Sequence, residues 1–429
     1  MIHRLAYGDD QLEVRLDHAP RSVLLPDLRH PGEGEMSIIR RALRDPLDSP
    51  RLRDVVSAGE RVVVIISDLT RLWVRQNLFI PEIIGELLSG GVAGEDITLL
   101  AATGDHRGHR EEEWPILVGE NVPASIARED HDARNPDGNT AVGTTSRGTP
   151  VAINQKVLDA DRVVLTGGIV YHFLAGFSGG MKALLPGVAA YETIMANHSL
   201  ALADGGGLQP DVASGKMEGN PCSEDIWEGA ALVSPDFCFN VIVDDDTHRI
   251  VEAVAGEVHE AHRRGREAAR DRWRVTIDGP AEVVLASSGG YPKDINLYQT
   301  YKTLYGARRA VREGGTVVIA SQCPEGMGND DFAAMLLDHD DDEHREANLR
   351  ENFTIGGYMA YHASLMAKEC DVILVSDMPA DQVQAAGMKG FGDMGEAVDF
   401  VREKHGDNFD YYLMPSGSIH PVIYEEATS

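Results

Sequence analysis

Three side chains able to bind or react lie within one glycine-dense stretch, residues 166–200 (TGGIVYHFLAGFSGGMKALLPGVAAYETIMANHSL): His172, Lys182 and His198. A lysine that sheds its proton can attack a carbonyl or acyl carbon, and an imidazole can carry a proton near neutral pH. Lys182 draws notice because the 429-residue chain holds only eight lysines, arginine supplying most of its positive charge. A second group, Thr103-Gly104-Asp105-His106-Arg107-Gly108-His109, offers His106 as a proton carrier, or His106 and His109 together as a metal pair. A third, Asp68-Leu69-Thr70-Arg71, sets a carboxylate beside a guanidinium, a pair that can hold a ribose hydroxyl and a carboxylate or phosphate. Its plainer alternative is a helix-capping aspartate with a solvated arginine. Downstream, residues 291–302 (YPKDINLYQTYK) start a helix that projects Tyr298, Gln299 and Lys302 to neighbouring faces, the last two being i and i+3.

These groups need elements that bring them together. Short β-branched runs at residues 61–67 (RVVVIIS), 97–101, 162–166, 282–286, 316–320 and 371–376 read as buried parallel strands. Helical patterns at residues 78–88, 258–273, 304–312 and 397–404 alternate with them, which predicts an α/β fold of two α/β domains with mainly parallel sheets and the active site in the cleft between them. Each strand runs into polar and glycine residues (DLTR, TGDHRGH, GGIVYH, SSGGYPKD, SQCPEG, SDMP), and open parallel sheets bind ligands at that end of their strands. The charged helix at 257–274, followed by Asp278-Gly279-Pro280, places a boundary there. The expected domains are residues 1–277, carrying the lysine and histidines, and residues 278–414, with a tail of 415–429 packing back on the first.

A formal net charge of −30 argues against a nucleic-acid partner and against an anionic membrane surface. No run approaches a membrane span, and MIHRLAYGDD lacks an apolar signal core, so the expected location is the cytoplasm. Four scattered cysteines, Cys222, Cys238, Cys323 and Cys370, form no CxxC pair and read as reduced, buried thiols. Gly176-Phe177-Ser178-Gly179-Gly180 satisfies G-x-S-x-G, but a nucleophile elbow needs a strand running straight into its serine, and here the strand ends near Thr166. A Walker loop also fails, since Met181 precedes Lys182 and Ala183 follows it. What remains is a glycine-rich turn leading into a helix, with backbone N–H groups of Gly179 and Gly180 free to meet an anion.

With TGDHR upstream and GYPKDINLYQTYK downstream, the run HFLAGFSGGMKALLPG…NH resembles the lactate racemase family of nickel-pincer-nucleotide enzymes. The likeness spans residue 68 to about residue 302, and the spacing of His172, Lys182 and His198 is its most specific part. It implies a racemase or epimerase of a 2-hydroxy acid. The implied cofactor is pyridinium-3,5-bisthiocarboxylic acid mononucleotide nickel, joined to Lys182 through a thioamide, with His198 as the protein ligand of the nickel. By the same resemblance His106 and His172 are the acid/base pair, and Arg71, Gln299 and Lys302 position the substrate. Asp68, Tyr298, Gly179 and Gly180 would bind the cofactor, and cofactor-synthesis proteins would be partners. The chemistry is coherent: nickel suits sulfur and imidazole donors, and passing the α-hydrogen as hydride to give a 2-keto acid avoids piling negative charge beside a carboxylate. Trp73 and Arg75, which follow Arg71, are placed to reshape the substrate pocket. Two other readings of the residues remain: a serine or metal-dependent hydrolase built on Ser178 or on His106 and His109, and a non-catalytic nucleotide-binding protein.

Overall fold

Val62–Ser67 (VVVIIS) is buried from Val62 through Ile66, as expected of a strand covered on both faces of a parallel sheet. Its side chains alternate between two cores. Val62, Val64 and Ile66 pack with Phe79, Ile83 and Leu87 of the helix Gln76–Ser89, whereas Val63 and Ile65 pack with Leu184, Leu185, Ile226 and Ala261. Each such side chain, fully removed from water, contributes roughly 1.5–3 kcal/mol.

The computed structural model describes residues 1–26, 32–244, 247–339, 341–417 and 420–423, and the chain divides into two units, Arg29–Asp271 and Met1–Leu28 with Arg272–Ser429. In Arg29–Asp271 the strand order is Ile250–Gly256, Phe237–Val243, Arg162–Gly168, Val62–Ser67, Ile97–Ala102, Ala127–Asp130, parallel throughout except for the antiparallel Ile250–Gly256 edge. In the other unit the order is Lys389–Phe391, Asp371–Val375, Val311–Ala320, Ala281–Ser287, Tyr411–Met414, Ser22–Val23, all parallel. The architecture is therefore α/β with two mainly parallel sheets.

The N-terminus departs from the expected division. Residues 1–28 join the second unit because Ser22–Val23 pairs with Tyr411–Met414, and because Leu5, Val14 and Leu16 pack with Val283 and Leu285. Of the tail, His420–Ile423 pairs in parallel with Arg274–Ile277, both within Arg272–Ser429, rather than with Arg29–Asp271; residues 418–419 and 424–429 lie outside the described part. The helix expected at 304–312 runs instead over Leu297–Arg308, since Val311 already pairs with Ala281 as the start of Val311–Ala320. Among the described residues no helix is long and apolar enough to cross a membrane, and all four cysteines are free and buried.

Candidate active site

From Val62–Ser67 the chain adds Ile97–Ala102 and Ala127–Asp130 on one side, then returns to the other side with Arg162–Gly168 and Phe237–Val243. The direction reverses between Val62–Ser67 and Arg162–Gly168, and open α/β sheets hold ligands in the crevice beyond the strand ends at such a reversal. Asp68, the loop after Ala102 and the segment after Gly168 all leave the sheet there. Gln76 pins the first exit from the side: its amide donates to Ser67 O (2.8 Å) and accepts from Ser67 N–H (3.0 Å).

The loop after Ala102 is clamped residue by residue. The Thr103 hydroxyl donates to His131 O (2.6 Å), Arg134 holds Asp105 through two bonds (2.9 and 3.0 Å), and Arg107 holds Glu113 through two more (2.7 and 2.8 Å). His106 Nδ1 donates to Asp68 Oδ2 at 2.5 Å, and the Thr70 hydroxyl donates to Asp68 Oδ1 (2.8 Å). With Nδ1 so engaged, the neutral form of His106 has a bare Nε2; the side chain is 49% exposed and within reach of a ligand, whereas that of Asp68 is 4% exposed. Burial alone would raise the Asp68 carboxyl. The His106 hydrogen bond and charge, with Thr70 and Arg71, outweigh it and hold the carboxyl below its ordinary value.

Two expectations fail here. His106 and His109 do not form a metal pair: His109 Nδ1 donates to Asp130 Oδ1 (2.5 Å) while Nε2 accepts from Leu69 N–H (2.9 Å), which uses both ring nitrogens. Asp68 spends both carboxylate oxygens on His106 and Thr70, so its side chain orients an imidazole and leaves the helix uncapped.

His172 stands on a two-residue hairpin strand paired with Gly176–Phe177. Gly176 has φ +72°, and a Cβ there would fall 2.1 Å from Lys216 O, so only glycine closes this hairpin. His172 Nδ1 accepts two long hydrogen bonds, from Leu174 and Ala175 N–H (3.2 Å each).

The turn before Lys182 is fixed by three side chains. Ser178 Oγ donates to Gly168 O (2.8 Å) and accepts from Val170 N–H (2.9 Å), Asn240 Oδ1 accepts from Gly180 N–H (2.9 Å), and His262 Nε2 donates to Ser178 O (3.0 Å). Among the described residues the Ser178 hydroxyl bonds main chain and no base, which removes the nucleophile-elbow reading. The N–H of Gly180 is likewise spent inside the protein and not free for an anion. Both glycines are required by packing: a Cβ on Gly179 would meet Ile169 at 2.7 Å and Asn240 at 2.8 Å, and one on Gly180 would meet the His262 ring at 2.9 Å. Lys182 follows in a short 3-10 turn, Gly180–Ala183, rather than a longer helix.

Lys182 is partly exposed, yet its surroundings strip water from the amine. That desolvation, with the Arg71 charge, lowers its pKa to about 8. Among the described residues its Nζ has no carboxylate or hydrogen-bond partner. His198, on the helix Tyr191–Ser199, is 4% exposed, and burial together with the Lys182 charge pulls it to about 3 against a weak opposing effect of the Ile194 carbonyl. It is therefore neutral, and its Nδ1 has no hydrogen bond of good geometry. Among the described residues no three His, Cys, Asp or Glu side chains converge to hold a metal ion.

Residues 7–207 match the lactate racemase N-terminal domain and residues 276–420 the lactate racemase C-terminal domain. The chain belongs to the lactate racemase family. It is a racemase, an isomerase. The lactate racemase of Thermoanaerobacterium thermosaccharolyticum is 35% identical to it over 298 residues, covering 70% of this chain and 68% of the relative. That of Lactiplantibacillus plantarum is 31% identical over 341 residues, covering 79% and 78%. The structure of the apoprotein of the former lactate racemase superposes with a TM-score of 0.88 at 29% identity, over 99% of this chain and 100% of that one. A protein from Thermotoga maritima shares the fold at a TM-score of 0.63 and 18% identity, over 88% of this chain and 99% of that one.

In this racemase Arg71 lies at the exit of Val62–Ser67 with Nη1 donating to Thr70 Oγ1 (2.7 Å). Arg75 is drawn away from any pocket role by Glu35, its Nε lying 2.9 Å from the carboxylate, and Trp73 packs on Gly168, where a Cβ would meet its ring at 2.8 Å. Tyr298, Gln299 and Lys302 belong to the second unit, on Leu297–Arg308, a helix capped by Asn296; Lys302 Nζ donates to Gln299 Oε1 (2.8 Å). Asn240 and His262, which hold the Lys182 turn, were not foreseen. A lone polar residue inside the otherwise apolar strand FCFNVIV was the available signal for Asn240.

Proposed function

We propose that this racemase interconverts the two hands of a 2-hydroxy acid with a nickel-pincer nucleotide attached through Lys182. The observation that carries the reading is the partnerless Lys182 amine, lowered to about 8, near a neutral His198 with an unpartnered Nδ1. A thioamide link needs an unprotonated lysine, which the desolvated turn favours, and neutral imidazole is a nickel ligand suited to sulfur co-donors. Lys182 and His198 are the residues that would hold the group. When bound, it would supply an electrophilic ring able to take the α-hydrogen with its electron pair, which leaves the substrate as a 2-keto acid.

The remaining steps belong to the chain's own residues. His106 takes the substrate hydroxyl proton at its bare Nε2, and Asp68 stabilises the imidazolium that results. His172 serves the opposite hand, its Nδ1 accepting from the Leu174 and Ala175 N–H groups (3.2 Å each). Arg71 pairs with the substrate carboxylate. Gln299 and Lys302 are kept as substrate residues, and Tyr298 as a cofactor residue, on the family likeness alone. Gly179 and Gly180 serve the cofactor by shaping the lysine turn, the Gly180 N–H being already bonded to Asn240.

The test is chiral chromatography of a panel of 2-hydroxy acids labelled with deuterium at the α-carbon, using protein made together with cofactor-synthesis proteins. Interconversion with deuterium kept on carbon is expected, because the α-hydrogen returns without meeting water. Washout of the label, or no interconversion across the panel, overturns the proposal.

A further inference from the structure

Two Asp–His pairs stand side by side at the strand exits, and only one faces solvent. Asp68 has the extended backbone (φ −79°, ψ 177°) of a residue that opens a helical turn, Leu69–Val74, yet its side chain makes no capping bond. The first N–H groups of such a turn lack partners within it, and an aspartate in that position ordinarily accepts from the second or third of them. The first of them, the Leu69 N–H, donates to Nε2 of His109 (2.9 Å). That nitrogen is bare because Asp130 takes the proton on Nδ1 (Oδ1, 2.5 Å), while Asp130 Oδ2 accepts from the His109 backbone N–H (2.6 Å). The His109 side chain is 1% exposed and its ring lies 5.2 Å from that of Trp114.

We propose that His109, held in one tautomer by Asp130, is a positioning residue: it anchors the N–H of Leu69, the residue next to Asp68, and so holds the Asp68 carboxylate where it orients His106. The inference rests on the reading of His106 as proton carrier. Buried N–H groups do not stay unpaired. Removing the His109 acceptor therefore frees Leu69 to shift toward another partner, Asp68 moves with it, and His106 loses the partner that holds its proton on Nδ1. Asp130 acts one step further out, because without it the His109 proton is free to move to Nε2 and close off the acceptor.

The experiment combines tautomer and rate in the full-length, cofactor-bearing protein. With ¹⁵N-labelled histidine, long-range ¹⁵N–¹H spectra report which ring nitrogen carries the proton; His106 and His109 are both expected to be protonated at Nδ1. In His109→Phe the His106 signals should move toward the Nε2-protonated form, with kcat falling about 10²-fold, the scale of a displaced catalytic group, and KM little changed. His109→Gln, whose amide oxygen can accept the Leu69 N–H, should restore both, and Asp130→Asn should act in the same direction as His109→Phe. If the Phe variant does not fold, Asp130→Asn carries the test. An unchanged His106 tautomer in the folded variants overturns the inference. A shifted tautomer with undiminished kcat supports the positioning role and overturns the reading of His106 as base.

Discussion

Asp68→Asn separates two roles for one carboxylate. The substitution keeps shape and volume while removing the charge that faces His106 Nδ1 at 2.5 Å. At that distance and an effective dielectric of 20, attraction between a carboxylate and the imidazolium formed in the reaction would be about 7 kcal/mol. His106 is 49% exposed, however, and solvent screens most of that. The hydrogen-bond scale is the better guide: a bond to a charged partner contributes roughly 1.5–3 kcal/mol. At about 1.4 kcal/mol per decade of rate, kcat should fall by roughly 10- to 150-fold. KM and the covalent cofactor should be unaffected, because among the described residues the Asp68 carboxylate is hydrogen-bonded to His106 and Thr70. Initial rates from each enantiomer, with nickel content of the same preparation, measure all three quantities. Unchanged kcat refutes the orienting role. Loss of the cofactor with the charge returns Asp68 to the nucleotide-binding role that the family resemblance implied.

Other expectations concern the turn and the buried histidines. Lys182 in cofactor-free protein should react with an amine-directed reagent along a pH curve centred near 8, and Arg71→Ala should move the midpoint upward, since the arginine charge lowers it; a midpoint in the ordinary lysine range would refute the desolvated amine. Gly180→Ala, at φ +55° against the His262 ring, should lower Tm by the equivalent of about 1–3 kcal/mol. Gly207→Ala, which has positive φ but open space, should cost less. Burial pulls His198 and His262 to about 3 and His362 to about 4, while unfolded histidines take up protons near 6.5. Stability present above that value is therefore lost as pH falls toward 3, at up to about 1.4 kcal/mol per pH unit for each group; equal melting temperatures at about pH 7 and about pH 5 would contradict this.

Strands were legible where β-branched runs ended in polar turns, because a parallel sheet buries both faces of each strand and leaves no alternation to misread. The candidate positions Asp68, His106 and His172 followed from those exits, and Lys182 from its place in a glycine-dense turn of a lysine-poor chain. The direction in which side chains pair was not legible. Asp68 near a helical turn looks like a cap or a ligand contact until the loop 38 to 40 residues later is seen to deliver His106 to its carboxylate and His109 to the Leu69 N–H. Arg75 looked like a pocket residue because its partner, Glu35, lies 40 residues upstream. The first 28 residues carry no local sign that Ser22–Val23 will pair with Tyr411–Met414, since that register is set by a strand almost 400 residues away.

Intact-mass spectrometry with metal analysis is the most direct measurement, on wild-type and Lys182→Ala protein made together with the cofactor-synthesis proteins. The expected result is a covalent mass gain that maps to Lys182 with one equivalent of nickel, both absent from the variant. Unmodified, nickel-free wild-type protein that still interconverts 2-hydroxy acids, or a modification that persists without Lys182, would contradict the assignment of the cofactor to this lysine.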